Sequence, residues 1–154
     1  MDLLQDAYRF NPSMCSDVIV TSKKIWYDRF AMDYPDMPQS DILSLFMDKV
    51  HLYHWENNRH LNGVCREIYR RRRGGCGRFN CVYMRLDPVD MDLIENIILT
   101  DRIKEYADSG YFFDNTLTYT EDDRQNDLSF ITKARQAIKD GDIIYYHSWS
   151  SLKI

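Results

Sequence analysis

Apolar positions near the start of the chain, Leu3, Leu4, Ala7, Tyr8 and Phe10, recur at helical spacing. They predict a short N-terminal helix that stops before Asn11-Pro12, because proline disfavours helical backbone in the residue before it. Val18-Ile19-Val20 fits a short strand or the opening of a further helix equally well. Ser22 then caps a helix with Ile25, Trp26 and Phe30 on its core face, ended by Pro35 and Pro38. The longest pattern follows. Ser40 suits an N-cap, and Ile42, Phe46, Val50, Tyr53, Leu61, Val64 and Ile68 lie on one stripe. The spacing predicts one long or kinked helix from Asp41 to about Arg72, with Phe46, Val50 and Val64 buried. Asn57 interrupts the stripe, His60-Leu61-Asn62-Gly63 marks a kink, and Gly74-Gly75 closes the helix.

Beyond the glycines the period changes to two. Phe79, Cys81 and Tyr83 alternate with Asn80, Val82 and Met84, which predicts a strand. Asp87-Pro88 is a cap followed by proline at the first helical position. It opens a helix with Val89, Leu93, Ile97 and Ile98 inward, closed by Ser109-Gly110. Tyr111 to Tyr119 has strand composition. A helix starting at Asp123 or Asp127 runs through Leu128, Ile131, Ala134 and Ile138 to Gly141, and Ile143 to Trp149 forms a last strand. The expected fold class is α/β or α+β in a single domain over 1–154. Residues 1–75 form its mainly helical part, and 76–154 a strand–helix–strand–helix–strand unit whose small sheet the helices cover. Crossover connections make that sheet parallel; an antiparallel α+β arrangement is the alternative.

Composition narrows the class. The 154 residues are 44% hydrophobic and 29% charged, which is neither disordered nor fibrous. No apolar run approaches the roughly 18 residues of a membrane span, so no membrane partner is expected. Acids near the start, Asp2 and Asp6, replace the basic residues of an export signal, which leads to the expectation of a cytoplasmic protein. Tyrosine is frequent (11 residues) and alanine scarce, a usage that fits a viral or phage protein acting in its host cell. Four cysteines, Cys15, Cys65, Cys76 and Cys81, are expected to be free thiols in that compartment.

Charge is distributed unevenly. The formal net charge is −4, yet Arg59 to Arg85 holds eight arginines against one acid, Glu67. Asp87 to Asp127 holds twelve acids against three basic residues. Arg66, Arg70, Arg71, Arg72, Arg73 and Arg78 are therefore the candidate anion-binding residues, because guanidinium forks suit phosphates and carboxylates bidentately. Gly74, Gly75 and Gly77 permit close backbone approach, but they follow a helix and lack the Lys-Ser/Thr end of a phosphate-binding loop. Phe79 and Tyr83 are placed to stack on bases or to pack in a core. The bland alternative is a solvated helix end, or internal pairing of the arginines with the acidic half.

Other chemistry is weaker. His51 and His54 are three apart on one predicted helix face. His60, Cys65, Cys76 and Cys81 supply four nitrogen or sulfur ligands at spacings poor for zinc, so no metal and no cofactor are expected. His147, between Tyr146 and Trp149, is a lone candidate base on a strand. The leading expectation is a non-enzymatic accessory, regulatory or assembly protein that docks a nucleic-acid backbone or an acidic protein surface. One alternative is a small nuclease or phosphotransfer enzyme using arginine for phosphate and His54, His60 or His147 for acid–base work. It requires a carboxylate cluster beside those histidines, which the sequence does not show. Another is a self-assembling homo-oligomer with basic-to-acidic contacts that repeat head to tail.

Overall fold

The computed structural model describes residues 3–10, 32, 35–36, 49–72, 79, 83–106 and 118–150. In chain order its elements are β1 (Leu3–Phe10), β2 (Lys49–Glu56), α1 (Arg59–Arg72), β3 (Tyr83–Leu86), α2 (Pro88–Leu99), a 3-10 turn (Arg102–Tyr106), α3 (Glu121–Lys139) and β4 (Ile143–Ser150). The strands form one sheet in the order β2-β1-β4-β3, and every neighbouring pair is antiparallel. The mixed α and β content is as expected. The parallel crossover arrangement is excluded, because β3 and β4 run antiparallel despite the helices between them.

The expected N-terminal helix is instead the strand β1, at the centre of the sheet. Leu3, Gln5 and Ala7 are buried on one face, while Leu4, Asp6 and Tyr8 lie on the other. Apolar residues at 3, 4, 7 and 8 satisfy a helical period and equally a strand with apolar groups on both faces. Pairing with two neighbouring strands decides for the strand.

The expected long helix from Asp41 is also corrected. Residues 41–48 lie outside the described residues, as do 18–30 and Gly74-Gly75. Within the described part, residues 49–56 are strand and Arg59–Arg72 is helical. Valine, tyrosine and tryptophan in this run favour a pleated surface over a helix. Val50 is 63% exposed, against the expectation of burial, whereas Val64 is buried. The break falls at Asn57, whose φ of 58° is left-handed. Its N–H donates to the Leu3 carbonyl at 2.8 Å, and its Oδ1 accepts from the Leu3 N–H at 2.9 Å. Asn58 then caps α1, its Oδ1 accepting from the Leu61 N–H at 3.0 Å. The true apolar stripe of α1 is Leu61, Val64, Cys65, Ile68 and Tyr69, the i, i+3, i+4, i+7, i+8 pattern of a helix against a core. Two of the four described strands thus come from the first half, and the division at residue 75 into helical and sheet parts does not hold.

Downstream, local signals are read more faithfully. Pro88 opens α2 after Asp87, with Asp90 reaching back to accept from the Asp87 N–H at 2.7 Å. The inward face is Met91, Ile94, Ile97 and Ile98; Val89 is 76% exposed. α2 stops at Leu99, well before Ser109, because Asp101 takes a left-handed φ of 60°. α3 starts before the earlier of its expected openings, at a reciprocal cap between Thr120 and Asp123. It ends where Gly141, at φ 98°, donates to Ile138 O and Asp142 donates to Ala137 O, both at 2.9 Å. Of the expected strand from Tyr111 to Tyr119, residues 111–117 lie outside the described residues; Tyr119 is buried at the entrance to α3. Among the described residues no helix is long and apolar enough to cross a membrane.

The core lies between one sheet face and the helices, joining Ala7, Trp55, Met84 and Tyr146 of the strands to Ile68, Ile94, Ile98, Phe130, Ile131 and Ala134. A polar network crosses it. Asp127 Oδ1 accepts from Trp55 Nε1 at 3.0 Å and Asn58 Nδ2 at 2.8 Å, and Oδ2 accepts from the Tyr119 hydroxyl at 2.5 Å. Gln5 Nε2 donates to the Asn58 carbonyl at 2.9 Å and to the Tyr146 hydroxyl at 2.7 Å, and the Asn58 N–H returns a bond to Gln5 Oε1 at 2.9 Å. The Tyr146 hydroxyl donates to Asn62 Oδ1 at 2.9 Å. Burial pushes the Asp127 carboxyl up to about 6, despite the three hydrogen bonds that favour its ionised form.

Two outcomes follow from this packing. Ile94→Ala is expected to cost about 2–5 kcal/mol by emptying the core, whereas Val50→Ala stays within about 0.5 kcal/mol; urea denaturation midpoints check both. For Asp127 the folded state holds its proton more tightly than the unfolded chain, so stability falls as pH rises from 3.8 to about 6 and levels off above. The contribution is on the order of 3 kcal/mol. Asp127→Asn keeps the acceptor for Trp55 and Asn58 and cannot ionise, so the difference between its pH–stability curve and the wild type isolates this loss. Parallel curves across that window contradict the assignment.

Candidate functional site

The arginine end of α1 comes first. Arg70 and Arg71 are exposed in its last turn. Among the described residues Arg71 makes only a long 3.4 Å contact to Glu67, four residues earlier, and no carboxylate pairs with Arg70. Arg72 is committed internally: it donates to the Arg85 carbonyl at 2.5 Å and to Asp90 Oδ2. Arg66 is half-exposed on the preceding turn, and Arg73 and Arg78 lie outside the described residues. The acidic half is served largely by other cations. Arg135 bridges Glu95 and Asp92, Arg124 reaches Asp101, and Arg85 reaches Asp87 at 3.0 Å. Internal pairing therefore accounts for Arg72 and Arg85 and leaves Arg70 and Arg71 facing solvent.

A second cluster sits on the sheet face opposite the one on which α1, α2 and α3 pack. Register places Asp6 opposite His54 on one side and His147 on the other, and His147 opposite Tyr83. His51 lies opposite Tyr8 in the next row. In a regular strand His51 and His54, three apart, point to opposite faces. Here the register between β1 and β2 slips between Ala7 and Tyr8: Ala7 pairs with Tyr53 and Tyr8 with His51, leaving Leu52 as the extra residue. That bulge reverses the alternation and returns His51 to the face of His54.

Both imidazoles converge on one oxygen. His51 Nε2 and His54 Nδ1 each donate to Asp6 Oδ1 at 2.8 Å, and His54 Nε2 lies 3.4 Å from Glu56 Oε1. The Tyr8 ring meets His51 edge-on at 5.7 Å, and Tyr83 lies 4.3 Å from the His147 ring. Burial raises the Asp6 carboxyl, but the bonds from His54 and His51 and their charge outweigh it, holding Asp6 below the ordinary range. The Asp6 bond, with help from Glu56, raises His54. The pair is thus strongest where Asp6 is ionised and His54 still protonated.

The other sequence candidates fall elsewhere. His60 is buried in α1 on the helix side of the sheet, edge-on to Tyr119 at 5.5 Å, and burial lowers its pKa. Cys65 is a buried free thiol held protonated by its surroundings, and Cys76 and Cys81 lie outside the described residues. His60 and His54 are therefore not parts of one site. Asp6 escapes sequence reasoning because it stands 45 residues before His51, in a segment whose apolar spacing reads as helical. No known protein family, curated protein or solved structure matches the chain.

An NMR titration of the imidazole protons tests this electrostatic reading. His54 is expected to titrate above 6.5 and His60 below it. Asp6→Asn should return His54 toward its ordinary value and leave His60 unmoved; an unchanged His54 contradicts the hydrogen bond.

Proposed function

We propose that the protein is a non-enzymatic interaction protein that docks an anionic partner through the arginine-bearing end of α1. The partner class is a nucleic-acid backbone or an acidic protein face, a second copy of the chain included. One observation carries the reading: Arg70 and Arg71 face solvent while Arg72, Arg85, Arg124 and Arg135 engage acids of the 87–127 segment. A guanidinium cluster that the fold does not consume is available to an external phosphate or carboxylate.

A second reading, a small nuclease or phosphotransfer enzyme, is favoured by Asp6, which supplies the carboxylate beside His51 and His54 that such chemistry requires. Its weakness is spatial. The arginines end a helix packed on one sheet face, and the histidines occupy the other.

Arg70→Gln with Arg71→Gln tests the docking reading, leaving the structural Arg72 in place. Fluorescence anisotropy with a labelled generic duplex across a salt series is the measurement. Weaker binding is expected, with the log–log salt slope reduced by about 0.7–0.9 for each phosphate that the variant no longer neutralises. A milder, saturating salt effect against an acidic protein marks that partner class instead. Wild-type affinity for both in the double variant would sink the proposal.

A further inference from the structure

We propose that Asp6, His51 and His54 form a binding site for a divalent first-row transition metal of the zinc type, with at least one coordination position open to solvent. The inference is independent of the docking reading and departs from the expectation, drawn from cysteine spacing, of no metal. Three observations carry it. First, the three ligand atoms lie within 4.8 Å of one another, on side chains from two strands. Second, the bulge at Leu52 is the local feature that brings His51 to this face, and bulges re-aim side chains at functional sites. Third, His54 carries a carboxylate on its far nitrogen: Nδ1 faces the centre and Nε2 lies toward Glu56. Metal-bound imidazoles commonly donate their second N–H to such a group, which fixes the ring and raises its basicity.

The geometry needs a small adjustment. Ligand atoms about 2.0–2.1 Å from a tetrahedral ion stand roughly 3.3 Å apart. The two 2.8 Å contacts to Asp6 Oδ1 must therefore open by about half an ångström as the ion replaces the protons they share. β2 is an edge strand among the described residues, and the His51 and His54 side chains are half exposed, so both rings have room to turn. Two imidazoles and one carboxylate suit zinc-class ions; magnesium and calcium prefer all-oxygen sites. Three protein ligands with a free position is the pattern of a site where water or substrate completes the shell.

The test is isothermal titration of the full chain with Zn²⁺ alone, alongside the visible and near-ultraviolet absorption of the Co²⁺-loaded protein. One ion per chain is expected, without competition from excess Mg²⁺. His51→Ala and His54→Ala should each weaken binding at least tenfold, and Glu56→Gln by about 10–100-fold through the ring it orients. Because Glu56 is exposed, its substitution leaves the fold intact, as circular dichroism verifies. Should either alanine variant unfold, proton NMR of the wild type decides: Zn²⁺ must shift the His51 and His54 ring signals and spare His60. Absence of saturable binding, unchanged affinity in the folded histidine variants, or a thiolate-to-cobalt charge-transfer band would each overturn the site.

Discussion

The buried carboxylate of Asp127 is the constraint around which the other elements are arranged. It sits on α3 and receives the Trp55 indole from β2, the Asn58 amide from the turn before α1, and the Tyr119 hydroxyl from the segment entering α3. Gln5 extends the network to β1 and to Tyr146 of β4, and Tyr146 passes it to Asn62 of α1. A polar group left unpaired in such a core costs about 1–3 kcal/mol. The strands, the cap and the two helices therefore meet in the arrangement that satisfies all of these groups together.

The same network positions the chemistry on the opposite side of the sheet. Gln5 pairs with Trp55 in the register of β1 and β2, and both point inward to the network. Their neighbours Asp6 and His54 also pair, and by strict alternation both point outward. Anchoring one pair fixes the other. A slip of one residue would expose Gln5 and Trp55 and bury Asp6 and His54, an exchange that the network forbids. The bulge then adds His51 by leaving one residue unpaired in β2, an edge strand among the described residues, where the ladder is most easily interrupted.

Charge follows a division of labour. Arginines that reach back to the acidic helices stabilise the junctions of β3, α2 and α3, as Arg72 does with Asp90 and Arg135 with Glu95. Pairs that lie on the surface, such as Arg85 with Asp87, contribute at most about 1 kcal/mol each, so their principal effect is to neutralise locally and set orientation. Arg70 and Arg71 stand outside that scheme, at a helix end where their charge also complements the macrodipole.

Sequence alone determined the features whose partners lie within a few residues. These are the Asp87-Pro88 opening of α2, the glycine stop at Gly141, the stripe of α1 from Leu61 to Ile68, and the clustering of arginine. Capping groups and helical neighbours interact over one or two turns, so their evidence is present in any short window. Tertiary structure decided the rest. Leu3–Phe10 and Lys49–Glu56 carry residues compatible with either period, and an extended segment finds its hydrogen-bond partners only in distant segments, as Asp6 finds His51 across 45 residues. Strand identity, the bulge at Leu52, the exposure of Val50 and the meeting of Asp6 with His51 and His54 are all consequences of that pairing. No local pattern encodes them, because each depends on which residue of β1 lies opposite which residue of β2.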